Sequence, residues 1–163
     1  MNAHHQNGIA ERRIKDLQEM GRSMLLHAKH NWPDAVHPSL WPYAVRHASD
    51  IRRNAAREGD QSPLEKFCGV SVRPNLDHYH TFGCPVYILD ERLQRTTKIG
   101  KWDARARIGI YLGHSPEHAS SVPYVLKLDT GYVSPQFHLN YDDRFQTPRT
   151  NPLMASGLSQ WQK

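Results

Sequence analysis

The hydrophobic pattern of the chain changes near residue 70, and this change limits the possible folds more than any other feature. Before it, apolar residues recur at alternating steps of four and three, the spacing of one face of an α-helix. After residue 81, runs rich in β-branched and aromatic residues follow one another, which is typical of strands. The sequence therefore predicts an α+β fold with a helical half (residues 1–69), a link (70–81) and a β half (82–145). Residues 146–163 are polar, and we expect a loose tail there.

The first predicted helix spans residues 8–30, with Asn7 as its N-cap. It ends at Trp32-Pro33, because the residue before a proline avoids the helical region. Its apolar stripe consists of Ala10, Ile14, Leu17, Gly21, Met24 and Ala28. A second helix is predicted from Ser39, its expected cap, or from Leu40, to about residue 57. Ser62-Pro63-Leu64-Glu65 has the pattern of a capping box and predicts a short third helix that Gly69 closes.

The β half is predicted to contain four strands, at residues 84–89, 107–112, 124–128 and 132–141. Asp129-Thr130-Gly131 is a turn signal that joins the last two strands as a hairpin. The hydrophobic fraction is 38% and the mean hydropathy is −0.72, which is low for a single compact core. These values favour two small units over one.

The overall composition points to an acidic partner. A net charge of +5 and a pI near 9.4 favour nucleic acid as that partner, and the alternative is simply a basic surface.

Cys68 and Cys84 do not form a Cys-x-x-Cys pair, so we interpret them as buried free thiols. No segment has the length of a membrane span, and the first residues lack a signal-peptide core. We therefore expect an intracellular protein of the nucleus or cytoplasm, neither secreted nor bound to a membrane.

Residues 92–107 form the most basic segment, with six positive charges against one negative. The segment lies between two predicted strands, so we expect a long loop that neutralises phosphates and offers an aromatic ring for base stacking. Its candidate nucleic-acid-binding residues are Arg95, Lys98, Lys101, Trp102 and Arg105. The alternative is that Trp102 packs on the β half while the charges are solvated.

Other side chains that bind metals or stack are abundant but are not arranged as a recognisable site. The eleven histidines include close pairs, but no cysteine lies at zinc-finger spacing from them. Four aromatic residues are interpreted as core or domain-contact residues: Trp41, Tyr43, Tyr111 and Phe137. Glu11 stands at a helix start, where a lone carboxylate favours the positive end of the helix or pairs with Lys15.

Six runs carry a resemblance to a known family. They are Gln6-Asn7-Gly8-Ile9-Ala10-Glu11-Arg12, Leu40-Trp41-Pro42-Tyr43-Ala44, Ser62-Pro63-Leu64-Glu65, Phe82-Gly83-Cys84-Pro85-Val86-Tyr87, Ile108-Gly109-Ile110-Tyr111-Leu112-Gly113 and Val133-Ser134-Pro135-Gln136-Phe137-His138. In order and spacing they resemble the integrase region of copia-type retrotransposon Gag-Pol polyproteins, over roughly residues 2–145. The resemblance implies that the helical half is the end of a truncated RNase H-like integrase core. For the β half it implies a small SH3-like β-barrel.

The resemblance also implies a role for Glu11. It matches the third carboxylate of an Asp, Asp, Glu triad that binds Mg²⁺ or Mn²⁺ in an intact integrase. Both aspartates of such a triad would precede Met1, so we expect neither a cofactor nor strand-transfer activity of this chain alone. On the same helix face, Lys15, Gln18 and Arg22 follow Glu11 at steps of four, three and four, and the resemblance implies DNA contact there. A solvated basic face is the alternative.

The expected function is thus that of an integrase fragment, linked to DNA integration by descent, which binds DNA weakly and electrostatically. Other integrase chains are further expected partners. Two alternatives stay open at this point. The chain could be part of a longer metal-dependent integrase that supplies the two aspartates upstream. It could also be an SH3-like module that binds protein.

Overall fold

The computed structural model describes residues 7–56, 60–71, 76–94, 98–119 and 121–150. Its helices are α1 (Gly8–Asn31), α2 (Trp41–Asn54), α3 (Pro63–Cys68), α4 (Glu91–Gln94) and α5 (Gln146–Thr150). Its strands are β1 (Pro85–Leu89), β2 (Ala106–His114), β3 (Pro123–Lys127), β4 (Val133–Pro135) and β5 (Leu139–Tyr141). Helices and an antiparallel sheet together confirm the predicted α+β class. Within these described ranges, no helix is both long and apolar enough to cross a bilayer.

The helix ends follow local signals in the sequence. Helix α1 begins directly after Asn7, although the Asn7 side chain makes no capping hydrogen bond. The capping box at α3 is confirmed, because Ser62 and Glu65 bond reciprocally, and Gly69 closes the helix with a φ of 68°. Ser39 is not a helix cap. It lies in a short 3₁₀ turn, Pro38–Leu40, which precedes α2, and Leu40 stands at the cap position of α2.

The sheet has the strand order β4-β3-β2-β1-β5, with every pair antiparallel. The predicted turn at residues 129–131 does connect β3 to β4. The single strand predicted at 132–141 is wrong, because its two ends form β4 and β5 on opposite edges of the sheet. His138, with a φ of 55°, turns the chain between them.

The connection from β4 to β5 requires the sheet to curl. Four strand spacings separate these edges, which corresponds to about 19 Å across a flat sheet. The chain from Pro135 to Leu139 spans at most about 14 Å when fully extended. The two edges of the sheet therefore approach each other.

One buried cluster contains residues from both the helices and the sheet. Its helical members include Ala28, Trp32, Val36 and Ala44, and its sheet members include Val86, Ile110, Tyr111, Val125 and Leu126. Helix α1 packs on α2 where Gly21 faces Val45, since a Cβ on Gly21 would lie 3.0 Å from Val45 atoms. The apolar stripe of α1 is thus buried at Gly21 and Ala28, whereas Ala10 and Ile14 at its other end are exposed.

Residues 146–150, which the sequence placed in a loose tail, form α5. Thr147 is buried, and its hydroxyl bonds to Asp142 Oδ2 at 2.7 Å and to Tyr87 Oη at 2.8 Å. The Arg149 guanidinium donates to Asn31 Oδ1 of α1 at 2.8 Å. Residues 151–163 lie outside the described part of the chain.

Three side chains interpreted as buried are exposed instead. Trp41 and Phe137 are 60% and 52% exposed, and Cys68 lies at the exposed end of α3. Tyr111 and Cys84 are buried as predicted.

Candidate nucleic-acid interface

The described residues of the basic segment between β1 and β2, 91–94 and 98–105, are called here the basic loop. Its two ends meet at Asp90, whose backbone N–H donates to the carbonyl of Arg105 at 2.9 Å. The short helix α4 opens the loop, and the Leu93 N–H donates to the Asp90 carbonyl at 2.9 Å. The loop is therefore closed at its neck.

The carboxylate of Asp90 binds two arginines at this neck. Arg92 donates from Nε to Oδ1 at 3.1 Å and from Nη2 to Oδ2 at 3.2 Å. Arg107 Nε lies 3.8 Å from Oδ2, and Arg107 Nη1 donates to Asp129 at 3.1 Å. The hydrogen bonds from Arg92 lower the pKa of Asp90 to about 2. Arg92 and Arg107 therefore stabilise the neck of the loop.

The remaining described cations of the loop project into solvent. Lys98, Lys101 and Arg105 are exposed, and no acid in the described ranges lies within ion-pair distance of them. Trp102 is 90% exposed, with Lys101 Nζ 5.4 Å from its ring centroid. The alternative in which Trp102 packs on the β half is thus wrong. Arg95 lies outside the described residues.

Glu11 and the basic face of α1 are exposed to solvent. Glu11 is in the first turn, and Gln18 and Arg22 follow it on exposed positions of the helix. Lys15 Nζ lies 3.9 Å from Glu19 Oε1, so it pairs with Glu19 and not with Glu11. Asp16, five residues after Glu11, binds Arg52 of α2 at 3.3 Å.

Among the described residues, the other acids of α1 do not converge on Glu11. A two-metal site needs several carboxylates that converge, and the other two acids of α1 are engaged by Lys15 and Arg52. In the part of the chain that the structure describes, no three His, Cys, Asp or Glu side chains are close enough to bind a metal ion.

A polar cluster between α2 and β2 was not found from the sequence. Asp50 Oδ2 accepts from Tyr79 Oη at 3.0 Å and lies 3.3 Å from His114 Nδ1. The bond from His114 is the main reason that the pKa of Asp50 is lowered. His114 Nε2 lies 2.8 Å from the carbonyl oxygen of His78, which makes Nε2 a donor. His114 and Tyr79 are 64 and 29 positions from Asp50 in the chain, so no local motif could reveal the cluster.

His47 lies one turn before Asp50 and is 2% exposed. Its ring contacts Tyr79, Phe82 and Tyr111, with centroids 5.5 to 5.9 Å away. Burial among these rings lowers the pKa of His47 to about 4. His47 is therefore neutral in the folded protein at pH 7, and the cluster holds helix and sheet together.

Comparison with known proteins identifies the relatives of this chain. No protein-family model matches it, and no solved structure matches it. The chain is 28% identical over 139 residues to the Retrovirus-related Pol polyprotein from transposon RE1 of Arabidopsis thaliana. It is 27% identical over 140 residues to the corresponding polyprotein from transposon RE2 of the same plant. These matches cover 84% and 85% of the chain but only 8% and 9% of the relatives.

The similarity extends over most of the chain and supports a fragment derived from a retrotransposon Pol polyprotein. More particularly, it confirms the resemblance to copia-type Pol polyproteins. The chain spans less than a tenth of the length of the curated relatives it matches.

Proposed function

We propose that the chain corresponds to the end of an integrase core and the adjoining SH3-like domain of a copia-type Pol polyprotein, and that it binds nucleic acid through the basic loop. The strand order supports the SH3-like assignment, because a four-stranded meander is followed by a fifth strand beside the first. The curled sheet that the β4–β5 connection requires fits a small barrel. No strand transfer is proposed for this chain alone, since Asp16 and Glu19 are engaged by basic side chains and do not join Glu11.

The exposure of Trp102 is the observation that carries this proposal. An indole that is 90% exposed gains little from its own fold, yet this one stands among three cations that project into solvent. An aromatic face stacks on any unpaired base, while cations beside it neutralise phosphates and release counterions. A single strand offers both groups at once, whereas the bases of a duplex are already stacked. The basic loop therefore fits a single-stranded segment better than a duplex.

The test removes the three cations and measures both affinity and its salt dependence. Each phosphate that a single strand places against a cation contributes about 0.7 to the log–log salt slope. The variant Lys98→Gln/Lys101→Gln/Arg105→Gln should therefore reduce this slope by about 2 for a labelled single-stranded oligonucleotide. Between 50 and 200 mM salt, the affinity of the wild type should then fall about 16-fold further than that of the variant. Fluorescence anisotropy measures both quantities.

The matched control removes the same charge from another surface. Arg12→Gln/Lys15→Gln/Arg22→Gln neutralises three cations on α1, all of them exposed. If the helix face carries the DNA contact that the resemblance implies, this variant will lose the salt slope and the loop variant will keep it. If neither variant changes binding, nucleic-acid recognition by either basic surface is wrong. Salt-insensitive capture of a protein would then favour the interaction-module alternative.

A further inference from the structure

An acid lies at the neck of the loop that is proposed to bind nucleic acid. The side chain of Asp90 is only 5% exposed, and it lies between Arg92 and Arg107 at the neck of the basic loop. By charge alone, a carboxylate in this place should repel nucleic acid and weaken binding. Its contacts suggest the opposite effect.

Asp90 connects the first turn of the loop to the strand that leaves it. Its Oδ1 accepts from the backbone N–H of Arg92 at 2.9 Å as well as from the Arg92 side chain, which fixes the start of α4. Its backbone N–H holds the carbonyl of Arg105, and its Oδ2 is near Arg107 at the start of β2. The backbone bond to Arg105 does not depend on the side chain at position 90, whereas the bonds from Arg92 and the contact with Arg107 require the carboxylate.

A second acid shapes the tip of the same loop. Asp103 Oδ2 accepts from the Gly100 N–H at 3.1 Å, and the Asp103 N–H donates to the Gly100 carbonyl at 3.1 Å. These two bonds close a turn whose central residues are Lys101 and Trp102. These bonds fix the backbone on either side of the indole.

We propose that Asp90 is a positioning residue for nucleic-acid binding, whose carboxylate holds Arg92 and Arg107 in place at the neck of the basic loop so that Trp102 and the neighbouring cations face one strand together. This inference rests on the proposed function of the loop. Without the contacts of the carboxylate with Arg92 and Arg107, the loop would sample more conformations. Nucleic acid would then have to order the loop on binding, at a cost in affinity. Removing the negative charge of Asp90 should therefore weaken binding, contrary to the Coulomb expectation.

The test compares two substitutions that each remove one negative charge. Asp90→Asn should bind the single-stranded oligonucleotide about five- to tenfold more weakly than wild type, because an amide cannot accept from the Arg92 guanidinium through two oxygens and the start of the loop loosens. Glu117→Gln makes the same change in net charge at an exposed site in the turn after β2, at the opposite end of that strand from the loop. This control should bind as wild type does or up to about twofold more tightly. Equal or tighter binding by Asp90→Asn overturns the proposal.

A double-substitution cycle separates positioning from general loss of structure. If Asp90 acts through Trp102, Asp90→Asn should weaken binding much less in a Trp102→Ala background than in wild type. Equal effects in both backgrounds would mean that Asp90 acts independently of the indole, and would also overturn the proposal.

Limited trypsin digestion tests the neck without nucleic acid. Cleavage after Lys98 and Lys101 should be about tenfold faster in Asp90→Asn than in wild type or in Glu117→Gln, below the temperature of global unfolding. Unchanged cleavage overturns the role of the Asp90 carboxylate in ordering the loop. If wild type fails to bind any oligonucleotide at low salt, the proposed function fails, and the role of Asp90 in binding fails with it. If wild type binds and Asp90→Asn binds as well, only the positioning role is wrong.

Discussion

Gly83 lies where the helical half meets the sheet, and its substitution tests the shared core directly. Its φ is 78°, a left-handed conformation, and its N–H donates to the carbonyl of Tyr111 at 2.9 Å. A Cβ at this position would stand 2.4 Å from the Cβ of Ala28, which is itself fully buried in α1. Gly83→Ala should therefore destabilise the fold in two ways, through a strained backbone conformation and through a steric clash with Ala28.

Both costs can be given a magnitude. The left-handed conformation costs an alanine about 1–2 kcal/mol. Carbon atoms in contact prefer about 3.5–4 Å, so helix and sheet must separate by roughly 1 Å, and overpacking of this kind costs about 1–3 kcal/mol. Gly83→Ala should thus lower the free energy of unfolding by about 2–5 kcal/mol, a large share of the roughly 5–15 kcal/mol of a typical domain. Urea denaturation followed by circular dichroism measures this change.

Gly69→Ala is the control that isolates the backbone term. Gly69 has a φ of 68°, and a Cβ added to it would meet no atom within 4 Å, so only the cost of about 1–2 kcal/mol applies. In the double variant Gly83→Ala/Ala28→Gly, the overpacking term should be recovered, less about 0.5–1 kcal/mol for glycine in a helix. If Gly83→Ala and Gly69→Ala destabilise equally, the close approach of α1 to the start of β1 is wrong.

Two further predictions concern buried titratable groups. Between pH 6.5 and about 4 the unfolded chain protonates His47 and the folded protein does not, so stability should fall by about 3 kcal/mol as the pH is lowered across that range. Urea midpoints should show a shallower fall in His47→Phe, and an identical pH profile would contradict neutral burial of His47. Burial raises the pKa of the Cys84 thiol, so only Cys68 should react with a thiol reagent in the native protein, and Cys68→Ser should abolish that reaction. Rapid reaction of Cys84 before unfolding would show that it is accessible.

Local signals allowed much of the secondary structure to be predicted from the sequence. The capping box at Ser62 and Glu65 acts within one turn, and the turn at residues 129–131 needs only its own residues. The class of the relatives was also predictable, because short motifs persist in order along the chain. At the candidate interface, the exposure of Lys98, Lys101 and Arg105 was also predictable, because charged side chains that are close together in the sequence favour the solvent-exposed surface.

Features that depend on distant residues could not be predicted in this way. The strand predicted at 132–141 divides because its two ends pair with different partners, β3 and β1. Helix α5 forms where Thr147 meets Asp142 and Tyr87, although its own sequence is polar. Asp90 looks like an ordinary loop acid until its contacts with Arg92 and Arg107 are known. The division into residues 1–69, 70–81 and 82–145 stays a prediction.

The short crossing from β4 to β5 has a consequence for how such a chain tolerates changes in length. Only four peptide steps, turned at His138, connect the two edges of the curled sheet. Deleting a single residue at 136–138 would force one edge strand to detach, and the freed backbone groups would be open to pairing with another molecule. Insertions in the turn after β2 should be absorbed with little effect. Among related sequences, we therefore expect gaps to accumulate near residues 116–121 and to be rare at 136–138.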